Sequence, residues 1–149
     1  MYSETKMEKI TINLPPVELA RIDILVEAGV YPSRTEFMRT AIRKSLDDQQ
    51  KIIDMRIEEF QSKFDEVDPE SKGQEFKKIF GVGVFNIEKE VFDKALILGH
   101  QVKIFVIGFC AIDKRVTAKM INQGVKSIRV FGVLKTSKEV KDALEEKKG

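Results

Sequence analysis

The chain has 149 residues, of which 42% are hydrophobic and 34% charged, and its net charge is +2. This composition excludes a wholly disordered chain. The longest apolar run, Ile104–Ile112, is too short for a membrane span of about 20 residues, and the N-terminus lacks a signal-peptide pattern. One cysteine, Cys110, and one histidine, His100, can form neither an internal disulfide nor a Cys/His zinc site. We therefore expect a cytoplasmic protein without metal or other cofactors.

A strand is predicted at residues 9–14, where polar and apolar residues alternate strictly. Its apolar side consists of Ile10, Ile12 and Leu14, and its polar side of Lys9, Thr11 and Asn13. Pro15 and Pro16 follow, and because proline cannot donate to a strand ladder they should end the strand and start a helix.

Two helices are predicted after this strand. The first has apolar residues at helical spacing from Val17 to Val26, and Gly29 follows as a C-terminal cap. The second starts at Ser33, which can cap the helix with Glu36 three residues later. Its apolar positions are Phe37, Met38, Ala41, Ile42 and Leu46. One strand and two helices bury too little surface to be stable alone, so we expect a two-fold dimer in which the strands pair.

This pattern resembles the ribbon-helix-helix repressors of the CopG/Arc/MetJ type, over about residues 7–48. The residues that carry the resemblance are Lys9 to Pro15, Leu19, Ile22, Leu25, Gly29, Ser33 to Phe37, Ala41 and Ile42. The resemblance implies a homodimer that places a two-stranded ribbon in the major groove of double-stranded DNA. It implies that Lys9, Thr11 and Asn13 read bases, and that Ser33, Arg34 and Thr35 bind phosphate at the start of the second helix.

Residues 49–74 are predicted to be a helical spacer. The apolar residues Leu46, Ile53, Ile57, Phe60, Phe64 and Val67 are spaced as in a heptad. Either the second helix of the N-terminal module continues as a coiled coil to about Asp65, or an amphipathic helix packs on the next domain. The spacing of the apolar residues fits both alternatives. The segment Asp68–Gly73 breaks the helix and marks a domain boundary.

Residues 75–149 contain a threefold repeat of 24–25 residues. Gly recurs at 83, 108 and 132, Lys at 89, 114 and 138, and Val at 91, 116 and 140. Each repeat is predicted to be a strand, a turn and a short helix, stacked as a small solenoid or a compact β/α layer. With the module at residues 1–48, the chain is expected to have an α+β fold.

The C-terminal repeats are assigned to oligomerisation or effector sensing. Nickel sensing is not expected, because Cys110 and His100 do not form a His-x-His pattern, and Cys110 should be in the core and His100 exposed. The glycines near Gly83 lack the remaining residues of a nucleotide-binding loop. The lysines Lys89, Lys114 and Lys138 are interpreted as solvated turn residues, with one basic edge as the alternative.

The leading hypothesis is a sequence-specific DNA-binding transcriptional regulator that acts as a homodimer. Its C-terminal repeats can also join dimers into higher oligomers. The alternatives are the antitoxin of a toxin–antitoxin pair and a DNA-tethered scaffold protein that assembles through its repeats. We do not expect an enzyme, because His100 has no second histidine to support it and no carboxylate pair lies in a recognisable pocket.

Overall fold

The computed structural model describes residues 7–71 and 73–148. These residues form six helices and a three-stranded parallel sheet, which confirms the expected α+β class. The chain divides into two compact units, one that ends at Ile57 and one that begins at Glu58.

The N-terminal unit begins without regular secondary structure at residues 7–15. The strand expected at residues 9–14 is therefore not formed in the single chain, and a strand needs a hydrogen-bonded neighbour to form. Helix α1 is Pro16–Glu27, and Pro16 suits its first turn because this position needs no N–H donor. Gly29, just after the helix, has a φ of +77°, the left-handed conformation that ends a helix most easily with glycine.

Two further helices follow. Helix α2 is Arg34–Asp48, and the Ser33 hydroxyl accepts a hydrogen bond from the Glu36 amide at 3.1 Å. Helix α3 is Gln50–Asp65, so the helical path is interrupted at Gln49. In the second unit the end of α3 packs on the sheet through Phe60 and Phe64, whose ring centroids lie 5.4 and 6.2 Å from that of Phe105. This part of α3 thus behaves as an amphipathic helix packed on its domain.

The second unit alternates strands and helices. The strands are β1 (Phe76–Ile87), β2 (Gln101–Ile112) and β3 (Val125–Lys135). The helices that follow them are α4 (Lys89–Ile97), α5 (Ala118–Gly124) and α6 (Lys138–Glu145). The sheet order is β1-β2-β3, and all pairs are parallel. Such connections need a crossover, which the helices α4 and α5 supply.

The core of the second unit lies between one sheet face and the three helices. Val102, Ile104, Val106 and Cys110 of β2 are at most 1% exposed, and Phe92, Ile121 and Leu144 cover them from α4, α5 and α6. The prediction that Cys110 is a core residue is confirmed. Its burial raises the pKa of the thiol to about 11, because the apolar surroundings disfavour the thiolate.

A row of glycines crosses the sheet at one level. The register places Gly83 opposite Gly108, and Gly108 opposite Gly132. A side chain at Gly108 would collide with the Gly83 carbonyl oxygen, and one at Gly132 with the Gly108 carbonyl oxygen. All three glycines also have φ between +115° and +136°, a region that residues with a Cβ rarely adopt. The backbone conformation therefore favours glycine at all three positions, and lack of space also requires it at Gly108 and Gly132.

Candidate functional site

The residues predicted to read bases lie at the surface of the single chain. Lys9, Thr11 and Asn13 are exposed, and within the described residues their side chains make no hydrogen bond or ion pair. On the apolar positions of the same segment, Ile10 is 85% and Ile12 64% exposed. Of the three apolar positions only Leu14 is partly buried, so the alternation that predicts a half-buried strand is largely unmatched by burial in the single chain.

Helices α1 and α2 of the N-terminal unit border an open apolar groove. Its volume is about 430 Å³, and most of its lining is apolar: Ile12, Leu14, Ile22, Leu25, Phe37, Met38, Ala41 and Ile42, with Glu18 and Arg21. Ile22 is buried, but no residue of α2 is, and Ile42 is 57% exposed. These helices thus present an apolar surface that the described residues leave partly uncovered.

The start of α2 combines a cap with unused amides. The Ser33 hydroxyl accepts a hydrogen bond from the Glu36 amide, and the Phe37 amide donates to the Ser33 carbonyl oxygen at 3.1 Å. The amides of Arg34 and Thr35 precede these and have no acceptor within the helix, as in the first turn of any helix. Because the helix dipole also favours negative charge here, this end can receive a phosphate oxygen.

Asp23, which no motif in the sequence indicates, lies beside this helix end and contacts Arg34. Arg34 donates from Nε and one terminal nitrogen to the two carboxylate oxygens of Asp23, at 2.7 and 2.8 Å. The hydrogen bonds from Arg34 lower the pKa of Asp23, and those to Asp23 raise the pKa of Arg34. The two residues are 11 positions apart on different helices, so no local pattern could indicate the pair.

The Asp23–Arg34 pair changes how Arg34 can act. A guanidinium has five N–H donors, and two of them are engaged by Asp23. The group is held by the carboxylate in a fixed orientation, while its remaining donors can reach a further acceptor. At the same time the nearby negative charge offsets part of the attraction to a phosphate.

Several polar side chains of the second unit form ion pairs or hydrogen bonds with one another. Arg115 donates to Asp113 and to Glu90, which connects the start of α4 with the turn after β2. His100 was predicted to be exposed, but its side chain is only 27% exposed, and its Nε2 lies 3.1 Å from Glu75. Lys89 pairs with Asp93 at 2.8 Å, whereas Lys114 and Lys138 are exposed.

Neither a metal site nor a membrane span is found in the described part of the chain. No group of three or more His, Cys, Asp or Glu residues there is arranged to hold a metal ion. Within the same residues, no helix is both long and apolar enough to cross a bilayer.

Comparison with known proteins gives one family and one relative. The model of the ribbon-helix-helix transcriptional regulator family matches residues 5–141. The transcriptional regulator CdrS of Halobacterium salinarum is 33% identical over 42 residues, which cover 28% of this chain and 76% of that protein. No solved structure matches the chain.

Proposed function

Since the chain belongs to the ribbon-helix-helix transcriptional regulator family, we propose that it is a sequence-specific DNA-binding regulator that acts as a homodimer. The observation that carries this proposal is the uncovered apolar side of the N-terminal unit. Ile12 and Ile42 are more than half exposed beside a groove that is otherwise lined mainly by apolar residues. A second copy, related by a two-fold axis, would bury this side against its own equivalent.

The same dimer accounts for the lack of a strand at residues 9–14. Two copies of this segment can pair antiparallel and satisfy each other's backbone groups, which one copy cannot do. Ile10, Ile12 and Leu14 then face the shared core. Lys9, Thr11 and Asn13 face outward as a two-stranded ribbon, a shape that the major groove admits.

The outward side chains have the chemistry that base reading needs. Lys9 can donate to guanine O6 and N7, and Asn13 can both donate to and accept from adenine at N6 and N7. Thr11 offers a hydroxyl group and a methyl group, which suits contact with either a polar edge or a thymine methyl.

The phosphate contacts are proposed at the start of α2. The Arg34 and Thr35 amides and the Ser33 hydroxyl lie together at the positive end of the helix dipole. Asp23 orients the Arg34 guanidinium, so that its free donors are presented without loss of side-chain freedom on binding.

No observation favours the antitoxin alternative. That function is expected of a C-terminal segment that becomes ordered on its toxin, whereas the second unit here has its own core around Val106 and Ile121. The proposed domain roles are DNA binding for residues 1–48, spacing for 49–74, and oligomerisation or effector sensing for 75–149.

The proposal is tested by selection of binding sites from a random pool of double-stranded DNA. The full chain should enrich an inverted repeat, as expected of a two-fold dimer. A variant with alanine at Lys9, Thr11 and Asn13 should enrich none, although its circular dichroism spectrum should match that of the unaltered chain. Failure of the unaltered chain to enrich any sequence would contradict sequence-specific binding.

A further inference from the structure

The two edges of the parallel sheet in the second unit differ in how they are covered. The β3 edge is occupied at its start, where the Ile128 amide donates to the Lys147 carbonyl oxygen at 3.0 Å and Lys148 forms a bridge with Ile128. Strand β3 also carries Lys126, Arg129 and Lys135, and charged residues are a usual means of keeping an edge from pairing.

Along most of its length, the β1 edge has neither a neighbouring segment among the described residues nor charged residues that would keep another strand from pairing with it. β1 is 12 residues long and carries lysines only near its start. From Ile79 to Ile87 the strand has neither a charged residue nor a proline. Two residues of this stretch, Val82 and Val84, are 67% and 48% exposed. A long, uncharged edge strand of this kind is a template for pairing with another strand.

The register identifies which backbone groups of β1 are free to pair. The Gly83 carbonyl oxygen lies against Gly108, and the Ile87 carbonyl oxygen accepts from the Asp113 amide, so these odd-numbered residues face β2. In a parallel pair, hydrogen-bonding direction alternates along the strand. The amides and carbonyls of Phe80, Val82 and Val84 therefore point away from the sheet, with no partner strand in the described part of the chain.

We propose that β1 of a second copy of this chain pairs antiparallel with β1, so that two sheets join into one of six strands across a two-fold axis. Identical strands can meet in this way without bringing like charges together, because the residues from Ile79 to Ile87 are uncharged. The exposed valines become cross-strand neighbours of β-branched residues, which favours pairing.

The inference rests on the proposed function at one step. If the N-terminal units form a homodimer, two β1 strands are already present on one molecule, and the second pairing becomes effectively intramolecular. Its test does not depend on DNA, so the two proposals can fail separately.

The test is amide hydrogen exchange resolved by NMR on the full chain. The amides of Phe80, Val82 and Val84 should exchange about tenfold or more slowly than those of Val130 and Leu134, which have the corresponding outward direction on β3. The proposal would be overturned if, at every protein concentration, the amides of Phe80, Val82 and Val84 exchange as fast as those of the two β3 residues.

Two variants and one control separate pairing from folding. Val82→Pro removes an outward donor and should abolish the slow exchange at Phe80 and Val84, whereas Val82→Thr keeps the donor and should preserve it. Val82→Lys keeps the donor too but brings two lysines near each other across the axis, and should also restore fast exchange. Slow exchange of the Val106 amide in β2 reports that each variant is folded. Slow exchange at Phe80 and Val84 that persists in both Val82→Pro and Val82→Lys would overturn the proposal.

The identity of the partner strand is tested with a mixture of isotope-labelled and unlabelled chains. Nuclear Overhauser effects between the two kinds of chain at Val82 and Val84 are expected. Slow exchange without such effects would show that β1 pairs within its own chain, for example with residues 7–15, and would overturn the proposal. If the intermolecular nuclear Overhauser effects are found but the chain selects no DNA sequence, the pairing of β1 is supported and the proposed function is contradicted.

Discussion

The Asp23 carboxylate accepts two hydrogen bonds from the Arg34 guanidinium and thereby ties the middle of α1 to the first turn of α2. The pair is solvent-exposed, with side chains about half accessible, so its contribution to the free energy of unfolding should be small. Its importance lies in orientation. It fixes a cation beside the helix end where we propose that a DNA phosphate binds.

Arg34→Ala should lower the affinity for all DNA sequences to a similar extent, because a phosphate contact carries no sequence information. The slope of log affinity against log salt concentration should fall by about 1. Salt-dependent binding measured by fluorescence anisotropy checks this. Arg115→Ala is a matched control, since Arg115 also pairs with carboxylates but lies in the second unit. An unchanged salt slope for Arg34→Ala would remove Arg34 from the phosphate contacts.

Asn13→Ala should weaken binding to the selected site by about 1–3 kcal/mol and leave binding to random DNA nearly unchanged, because a base contact is lost while the phosphate contacts remain. Competition binding with the two DNAs gives both affinities. Asn122→Ala makes the same change at an exposed position of α5 and should alter neither. Equal losses on the two DNAs would show that Asn13 does not read bases.

Ile42→Asp should abolish DNA binding and speed amide exchange throughout α1 and α2. Ile42 is 57% exposed in the single chain, so a monomer could accept the charge, but the proposed dimer would have to bury it. Ile97→Asp is the matched control, at a position of α4 that is 84% exposed. If Ile42→Asp binds DNA as well as Ile97→Asp does, the apolar groove is not the dimer interface.

The sequence predicts those parts of the fold that depend on local patterns. The Ser33 cap and the burial of Cys110 follow from residue types and spacing and are confirmed. The Asp23–Arg34 pair and the partial burial of His100 beside Glu75 depend on how separate elements pack, which no local pattern encodes. The base-reading roles of Lys9, Thr11 and Asn13 remain predictions.

Gly108→Ala should destabilise the second unit more than Gly83→Ala. Both changes force a Cβ into a left-handed conformation, which costs about 1–3 kcal/mol. At Gly108 the Cβ also collides with the Gly83 carbonyl oxygen, whereas the space beside Gly83 is open, so we expect a further cost of about 1–3 kcal/mol. Chemical denaturation of the full chain measures the difference. Equal stability of the two variants would contradict the close approach of β1 and β2.

Cys110 should react with a thiol reagent at pH 8 only when the second unit opens. The buried thiol has a pKa of about 11, so little thiolate is present at that pH, and the side chain is inaccessible. The labelling rate should therefore rise steeply in denaturant and follow the unfolding transition. Rapid labelling of the native chain, at the rate of a free cysteine peptide, would show that Cys110 is not in a closed core.

Methylation protection on a selected DNA site tests most directly whether a two-stranded ribbon of this protein reads the major groove. Dimethyl sulfate modifies guanine N7 in the major groove and adenine N3 in the minor groove. We expect protection of guanine N7 in two symmetric half-sites, with protection at one guanine of each half-site lost in Lys9→Ala. Protection confined to adenine N3, or a pattern that Lys9→Ala and Asn13→Ala leave unchanged, would contradict it.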